Sequence, residues 1–297
     1  LEGLDPVRKR PGMYIGTTGL DGLHHLIWEV FDNSRDEAMG GFADRVEVAL
    51  LPDNYIRVVD NGRGIPQEQV YDETSDTKIA RATAAWTRVN AGTSFDDERV
   101  TIGTNGVGSA ATNFLSKKFV GKTWSNDNML TVECKNGAET INEKNSQREG
   151  SGTEVSFIPD FDLFEVDNLA ELDTIVLLED RLISLQMAFP EISFSFNKKR
   201  IKVNNLKKYA DMFVKDGSDV IIEKSYNLSL FFAGSVDGFR SNSFINGVNT
   251  RQGGTYVDWI MHNVITQLAV MIKRKHRIEV GNMTIKNGLT MVMFARN

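Results

Sequence analysis

His25, Glu29, Asn33, Asp36 and Glu37 lie within thirteen residues of one another, at spacings that return to one side of a helix. His25 and Glu29 are one turn apart, as are Glu29 and Asn33, so three side chains can point into one cavity. A carboxylate beside an imidazole can take a proton from water, and an amide oxygen one turn further on can bind Mg2+. Phosphoryl transfer asks for little more than a positioned water, a metal and neutralised phosphates. A solvated helix face would present the same stripe, and the downstream sequence decides between the two readings.

Asp60-Asn61-Gly62-Arg63-Gly64-Ile65-Pro66 follows an apolar, alternating segment, and Gly103-Thr104-Asn105-Gly106-Val107-Gly108 precedes a helical one. An anionic acceptor at the end of a strand, as Asp60 is, can hold an exocyclic amine such as that of adenine; an ordinary turn aspartate is the alternative. Gly62 and Gly64 allow backbone shapes other residues resist and let the chain approach a flat base. Arg63 is expected to cover one edge of that base, paired with Glu37, unless it is simply solvated on its turn. Gly103, Gly106 and Gly108 offer free backbone amides before a helix, which suits phosphate. The spacing is neither that of a P-loop nor that of the dinucleotide fingerprint, and no Gly-Lys-Ser or Gly-Lys-Thr occurs.

These residues need a scaffold. Leu23, Leu26, Ile27, Val30, Phe31 and Ala38 form the apolar face of a helix over Leu23 to Met39 that stops at Gly40-Gly41. Val46 to Leu50 and Tyr55 to Val59 read as a hairpin around Pro52-Asp53-Asn54. Residues 67–101 read as a polar, irregular stretch with one helix around Ile79 to Val89, long enough to suggest a lid. After a helix over Ser109 to Ser116, strands at Phe119 to Trp124, Met129 to Cys134, Glu139 to Ile141 and Thr153 to Ile158 read as an antiparallel meander. A helix over Leu169 to Ala188 and a strand over Ile192 to Phe196 follow. Beyond about residue 215 the pattern restarts with strands at Val220 to Glu223, Leu228 to Phe232 and Ser243 to Val248, a long helix within Gly253 to Lys275, and a strand at Leu289 to Phe294. The fold class expected is α+β, with domains over 1–215 and 216–297.

The chain has 297 residues, 41% of them apolar, enough for a real core, and a net charge of -6. That balance argues against a surface built mainly for nucleic acid, although basic runs occur at Lys198 to Lys202, Lys207-Lys208 and Lys273 to Arg277. The single cysteine, Cys134, permits no internal disulfide and fits a reducing compartment. No apolar run approaches membrane-spanning length and no signal peptide is recognisable. The expected location is therefore cytoplasmic, with no membrane partner.

Glu29-Val30-Phe31-Asp32-Asn33, Asp60 to Gly64, Gly103 to Gly108 and Gly152-Thr153 resemble, in order, the four nucleotide-binding motifs of the GHKL, or Bergerat, ATPase fold. Arg8-Lys9-Arg10-Pro11-Gly12-Met13-Tyr14-Ile15-Gly16 is similar to the start of the ATPase subunit of type IIA topoisomerases, the family of DNA gyrase B and its topoisomerase IV counterpart. Phe244-Ile245-Asn246-Gly247-Val248-Asn249-Thr250-Arg251-Gln252-Gly253-Gly254-Thr255 resembles the segment that opens that family's transducer helix. The Ala84-Ala85-Trp86-Thr87, Phe157 to Phe161 and Met291 to Phe294 segments are similar to the T-even-like phage branch.

The resemblance implies a GHKL α/β sandwich followed by a smaller transducer, and an ATP-operated gate that drives DNA strand passage. It implies Glu29 as the general base, His25 as its assistant and Asn33 as the Mg2+ ligand. Asp60 would contact adenine, supported by Thr153, within a pocket that includes Glu37, Arg63, Gly64, Ile65 and Pro66. Gly92, Gly103, Asn105, Gly106, Val107 and Gly108 would surround the phosphates. Implied partners are double-stranded DNA, a DNA-cleaving subunit or domain, a second copy joined through an N-terminal arm, and aminocoumarin-type inhibitors, in a bacterial or phage-infected cytoplasm.

Three departures qualify these expectations. No Gln-Thr-Lys supplies the transducer lysine, Leu1 falls where the arm should have ended, and Ser94 follows Gly92-Thr93 where relatives carry a second glycine and a lysine. Slow turnover and weak dimerisation are expected of this chain alone. The rival readings are another GHKL ATPase, such as a MutL-type repair protein, a heat-shock chaperone or a histidine kinase, and a non-catalytic nucleotide-sensing clamp.

Overall fold

The computed structural model describes residues 4–88, 108–203, 205–210, 212, 220–225, 227–245, 248–250 and 253–296. The chain divides into two compact units, Leu1–Asp180 with Glu191–Arg200, and Arg181–Pro190 with Ile201–Asn297. Helices and strands mix in both, as the α+β expectation requires.

In the first unit two short helices, α1 (Leu4–Lys9) and α2 (Gly12–Ile15), lead into α3 (Leu20–Met39). Leu23, Leu26, Ile27, Val30 and Phe31 are all buried, so the apolar stripe read from the sequence is the face α3 turns to the core. Gly41, at φ +76°, takes the chain out of the helix into a strand. β1 (Arg45–Leu51) and β2 (Tyr55–Asp60) form the expected hairpin, with Asp53 and Asn54 in left-handed conformations at its turn. β3 (Gln69–Asp72) and β4 (Thr77–Ala80) make a second, separate hairpin that runs into α4 (Arg81–Thr87). The sequence reading of residues 67–101 missed this hairpin because its strands are four residues each, too short to show a period. It also started the helix two residues early, since Ala80 is extended.

After α5 (Gly108–Phe114) come β5 (Ser116–Ser125), β6 (Asn128–Lys135), β7 (Thr140–Gln147) and β8 (Gly152–Pro159), then α6 (Glu171–Ala188), β9 (Ser193–Phe196) and β10 (Lys199–Arg200). They complete an eight-stranded sheet in the order β10-β9-β1-β2-β8-β5-β6-β7. The expected meander holds for β5, β6 and β7 and fails at β8, which crosses back to lie between β2 and β5. Composition explains the swap. β7 is polar and largely exposed, fit for an edge, whereas Val155 and Phe157 of β8 are buried and need a central position. That crossing brings Gly152 and Thr153 beside Asp60.

The second unit contains α7 (Leu206–Ala210), β11 (Val220–Lys224), β12 (Leu228–Gly234), β13 (Arg240–Ile245), β14 (Val248–Asn249), α8 (Thr255–His276), α9 (Asn282–Asn287) and β15 (Leu289–Ala295). Its five-stranded sheet runs β11-β12-β15-β13-β14, so the last strand of the chain is the central one. Met291, Val292, Met293 and Phe294 are buried there, and Val257, Ile260, Met261 and Ile265 of α8 pack in one core with Met291 and Met293. Phe244 stacks on Phe294 with ring centroids 4.9 Å apart. The reading over Ser243 to Val248 as one strand merges β13 and β14, whose connecting residues 246–247 lie outside the described residues. Helix α9 left no sequence signal strong enough to read. Among the described residues no helix is long and apolar enough to cross a membrane.

Candidate functional site

Helix α3 buries its apolar stripe and leaves His25, Glu29, Asn33 and Glu37 on one side, as spacing predicts. His25 Nε2 lies 3.0 Å from Glu29 Oε1. Asn33 donates from Nδ2 to the Glu29 carbonyl at 3.0 Å and to Ser109 Oγ at 2.8 Å, which ties α3 to the first turn of α5 and turns the amide oxygen the other way. Gly108, the first residue of α5, sits directly against Glu29: a Cβ there would fall within its carboxylate. Glycine is thus the residue that lets the helix start this close to the acid. Asp36 points elsewhere. It is buried and pairs with Arg35, whose Nη2 is 2.8 Å from Asp36 Oδ1 and whose Nη1 is 2.8 Å from Asp32 Oδ1.

Asp60 ends β2 at 3% exposure. Ser34 Oγ donates to its Oδ2 at 2.7 Å and the Gly62 N–H to its Oδ1 at 2.9 Å. Burial pushes its carboxyl above the ordinary aspartate range; the Ser34 hydroxyl and the Gly62 and Thr153 backbone N–H groups oppose that rise, and the nearby Glu37 charge adds to it. Register places Asp60 opposite Thr153 and Thr153 opposite Thr123, so the three side chains form one row across β2, β8 and β5. Gly152, at φ +154°, has the Asp60 carbonyl and the Trp124 ring where a Cβ would be.

Arg63 and Glu37 pair as expected. Nη2 donates to Oε1 at 2.6 Å, Nε to Oε2 at 3.1 Å, and the Arg63 backbone N–H to Oε2 at 3.1 Å. The guanidinium lies 3.5 Å from the centroid of the Phe42 ring. Gly64, at φ +76°, passes so close to β5 that a Cβ would sit 2.7 Å from the Trp124 carbonyl. Beyond it the Ile65 N–H donates to Thr123 Oγ1 at 2.6 Å, which fixes the approach to Pro66. The residues of one side of the site are therefore brought together by α3, the β2 turn and β8.

The structure brings together His25, Glu29, Asn33, Gly108, Glu37, Asp60, Arg63, Gly64, Ile65 and Thr153. Gly92, Gly103, Asn105, Gly106 and Val107 lie outside the described residues. Ser34, Phe42, Ser109 and Thr123 join the described part of the site and were not read from the sequence, whereas Gly152 was named there only through its motif resemblance. Ser34 carried a usable signal, being polar within the apolar stripe four residues from Val30 and from Ala38. Thr123 carried none, because its part depends on where β8 inserts.

The His25 to Glu29 contact sets a pH dependence. The hydrogen bond to Glu29 raises the imidazole above its ordinary value of 6.5, with burial opposing and the Glu29 and Asp32 charges adding. The contact favours protonated His25, so its stabilising effect is complete below the unfolded value and fades as pH rises through the raised folded one. Replacing Glu29 by Gln is expected to lower the His25 titration midpoint, followed by NMR of the ring protons. An unmoved midpoint would show the pair to be unimportant in solution.

With this geometry established, comparison with known proteins gives a consistent result. Residues 18–163 match the family described as histidine kinase-, DNA gyrase B-, and HSP90-like ATPase. The chain is 38% identical over 319 residues to the DNA topoisomerase large subunit of Enterobacteria phage T4, covering 100% of this chain and 60% of that protein. It is 31% identical over 330 residues to the DNA gyrase B protein of Spiroplasma citri, covering 100% of this chain and 50% of that one. The chain thus spans half to three-fifths of the length of these relatives. In structure it resembles the ATPase region of Saccharomyces cerevisiae topoisomerase II, with a TM-score of 0.81 at 22% identity over 99% of this chain and 85% of that one. It also resembles the 43K ATPase domain of Thermus thermophilus gyrase B in complex with an aminocoumarin, with a TM-score of 0.67 at 23% identity over 100% of this chain and 81% of that one. Residues 18–163 thus carry an ATPase domain of the histidine kinase-, DNA gyrase B- and HSP90-like kind, and over its whole length the chain is similar to the DNA topoisomerase large subunit and to gyrase B subunits.

Proposed function

We infer that this chain binds and hydrolyses ATP and that, within the complete enzyme, its closure on nucleotide works the gate through which one DNA duplex is passed. The observation that carries this reading is the seating of Glu29, paired with His25, against Gly108 at the start of α5, on the same helix whose next turns hold Asn33 and Glu37. The ATP-binding domain is proposed over residues 1–215 and the transducer over 216–297, although the second compact unit already takes in Arg181–Pro190 and begins again at Ile201.

The contacts support the following roles. Asp60 accepts from the adenine amine with the oxygen capacity that Ser34 and Gly62 leave unused, and Thr153 stands beside it in register. Gly62 and Gly64 let the backbone pass the base, and the Arg63-Glu37 pair covers an edge, held flat by Phe42. Ile65 and Pro66 extend that side of the site. Glu29 takes the proton of the attacking water at its carboxylate and His25 orients it. Gly92, Gly103, Asn105, Gly106, Val107 and Gly108 enclose the phosphates.

Among the described residues no group of three or more His, Cys, Asp or Glu side chains could hold a metal. Mg2+ in nucleotide sites keeps several waters and takes one or two protein oxygens together with substrate phosphates. Asn33 would supply one such oxygen, since its amide nitrogen is already committed to Glu29 and Ser109. Bound there, the ion would neutralise phosphate charge and favour displacement at the terminal phosphorus.

The partners follow from the same reading: double-stranded DNA, a DNA-cleaving subunit or domain, a second copy of the chain, and aminocoumarin-type ligands at the adenine pocket, in the cytoplasm of a bacterium or a phage-infected cell. The complete subunit with its cleaving partner is expected to decatenate linked DNA circles when ATP is supplied and to stop when it is withheld. ATP hydrolysis with no change of DNA topology would favour a repair-type member of the superfamily.

A further inference from the structure

Arg8 stands seventeen or more residues ahead of the site residues in sequence, yet it reaches the site through one helix. Helix α1 buries Val7 and sends the half-buried Arg8 side chain to two acceptors. Nη1 donates to the carbonyl of Phe114 at 2.9 Å and Nη2 to Asp160 Oδ2 at 2.6 Å. Phe114 is the last residue of α5, whose first residue, Gly108, rests on Glu29. Seven residues of helix make a stiff rod about 10 Å long, so a displacement at one end appears at the other.

Other bonds hold the rod at its sides and first turn. Thr112 Oγ1 donates to the Leu26 carbonyl at 3.3 Å, Asn113 Nδ2 to the Trp86 carbonyl at 2.8 Å, and Asn33 Nδ2 to Ser109 Oγ at 2.8 Å. At the C-terminal end the carbonyls face a cation, the arrangement the helix dipole favours. Asp160 belongs to the same end, because its N–H donates to the Leu115 carbonyl at 2.8 Å. It is 5% exposed, and its second oxygen is buried without a hydrogen bond, 3.6 Å from Lys117 Nζ. A carboxylate held in this way, with one oxygen fully committed to Arg8, fixes the direction of the guanidinium.

We propose that Arg8 is a positioning residue: by holding the last turn of α5 it sets how closely Gly108 seats on Glu29, and it thereby links the N-terminal segment to water activation. The proposal rests on the reading of Glu29 as the group that accepts the water's proton.

The test compares Arg8→Ala and Arg8→Lys in the complete subunit by steady-state ATP hydrolysis, affinity for a non-hydrolysable ATP analogue, and melting temperature. Arg8→Ala is expected to lower kcat by about 10- to 100-fold, the scale of a small misplacement at a reacting group. KM and analogue affinity should stay within about threefold, because the adenine contacts are untouched. Arg8→Lys should recover part of kcat, since an ammonium can reach one of the two acceptors. Should Arg8→Ala fail to fold, Arg8→Lys and Asp160→Asn are read for the same split. A fall in melting temperature with kcat unchanged, or equal losses in kcat and affinity, would overturn the proposal. Glu29→Gln measured alongside separates the two levels: normal hydrolysis in that variant refutes the reading of the site, whereas its inactivity beside fully active Arg8 variants refutes the link alone.

Discussion

Glu29→Gln should all but stop ATP hydrolysis while leaving nucleotide binding intact. The substitution keeps the shape of the side chain and its place against Gly108, and it removes the oxygen that can accept a proton from water. Positioned proton transfer is worth about 100- to 10,000-fold in rate, which sets the size of the loss. In the proposed reading affinity rests on Asp60 at the end of β2 and on Ser34 and Glu37 one to two turns further along α3, so an ATP analogue should bind within a few-fold of its normal strength. Phosphate release and equilibrium binding, measured on the same preparation, give both numbers. Hydrolysis at the normal rate would remove Glu29 from the chemistry and leave a module that only senses nucleotide.

Asp60→Asn is expected to act in the opposite sense, weakening binding without harming the fold. An asparagine can take the same rotamer, with its oxygen accepting from the Gly62 N–H and its amide donating to Ser34 Oγ, so both contacts survive. What changes is the face turned to the ligand. An amide nitrogen would meet an exocyclic amine, donor against donor, in a buried place. The loss of a hydrogen bond to a charged acceptor is worth about 1.5 to 3 kcal/mol, or roughly 10- to 150-fold in affinity. Because burial holds the Asp60 carboxyl above its ordinary range, the ionised form costs the folded protein stability, a cost absent below the unfolded value, growing from there towards the raised folded one and complete above it. The variant should accordingly melt no lower than the parent near neutral pH. A lower melting point with unchanged affinity would make Asp60 a structural residue.

Much of this was legible in the sequence, for identifiable reasons. Helix α3 was readable because its apolar and polar residues separate at a helical period, and the Asp60 turn because an alternating strand runs into two glycines. What could not be read depended on pairing between distant segments. The insertion of β8 beside β2 sets the row of Asp60, Thr153 and Thr123 and makes Thr123 part of the site; Gly152 and Thr153 were named through their motif, but no local period encodes which strands are neighbours. Phe42 lies just past the end of α3, and only the turn at Gly41 brings its ring beneath Arg63. Ser34 could have been suspected, as a hydroxyl inside an apolar stripe needs a partner, but Asp60 is 26 residues away. The short β3 to β4 hairpin and α9 lacked the length over which a period can be recognised.

A calorimetric titration of this chain with a non-hydrolysable ATP analogue and Mg2+ tests the adenine pocket most directly. Saturable binding at one nucleotide per chain, with a favourable enthalpy that shrinks when the same titration is run on Asp60→Asn, is the expected result. Equal binding by parent and variant would place the base somewhere other than beside Asp60 and would contradict the assignment on which the rest of the site depends.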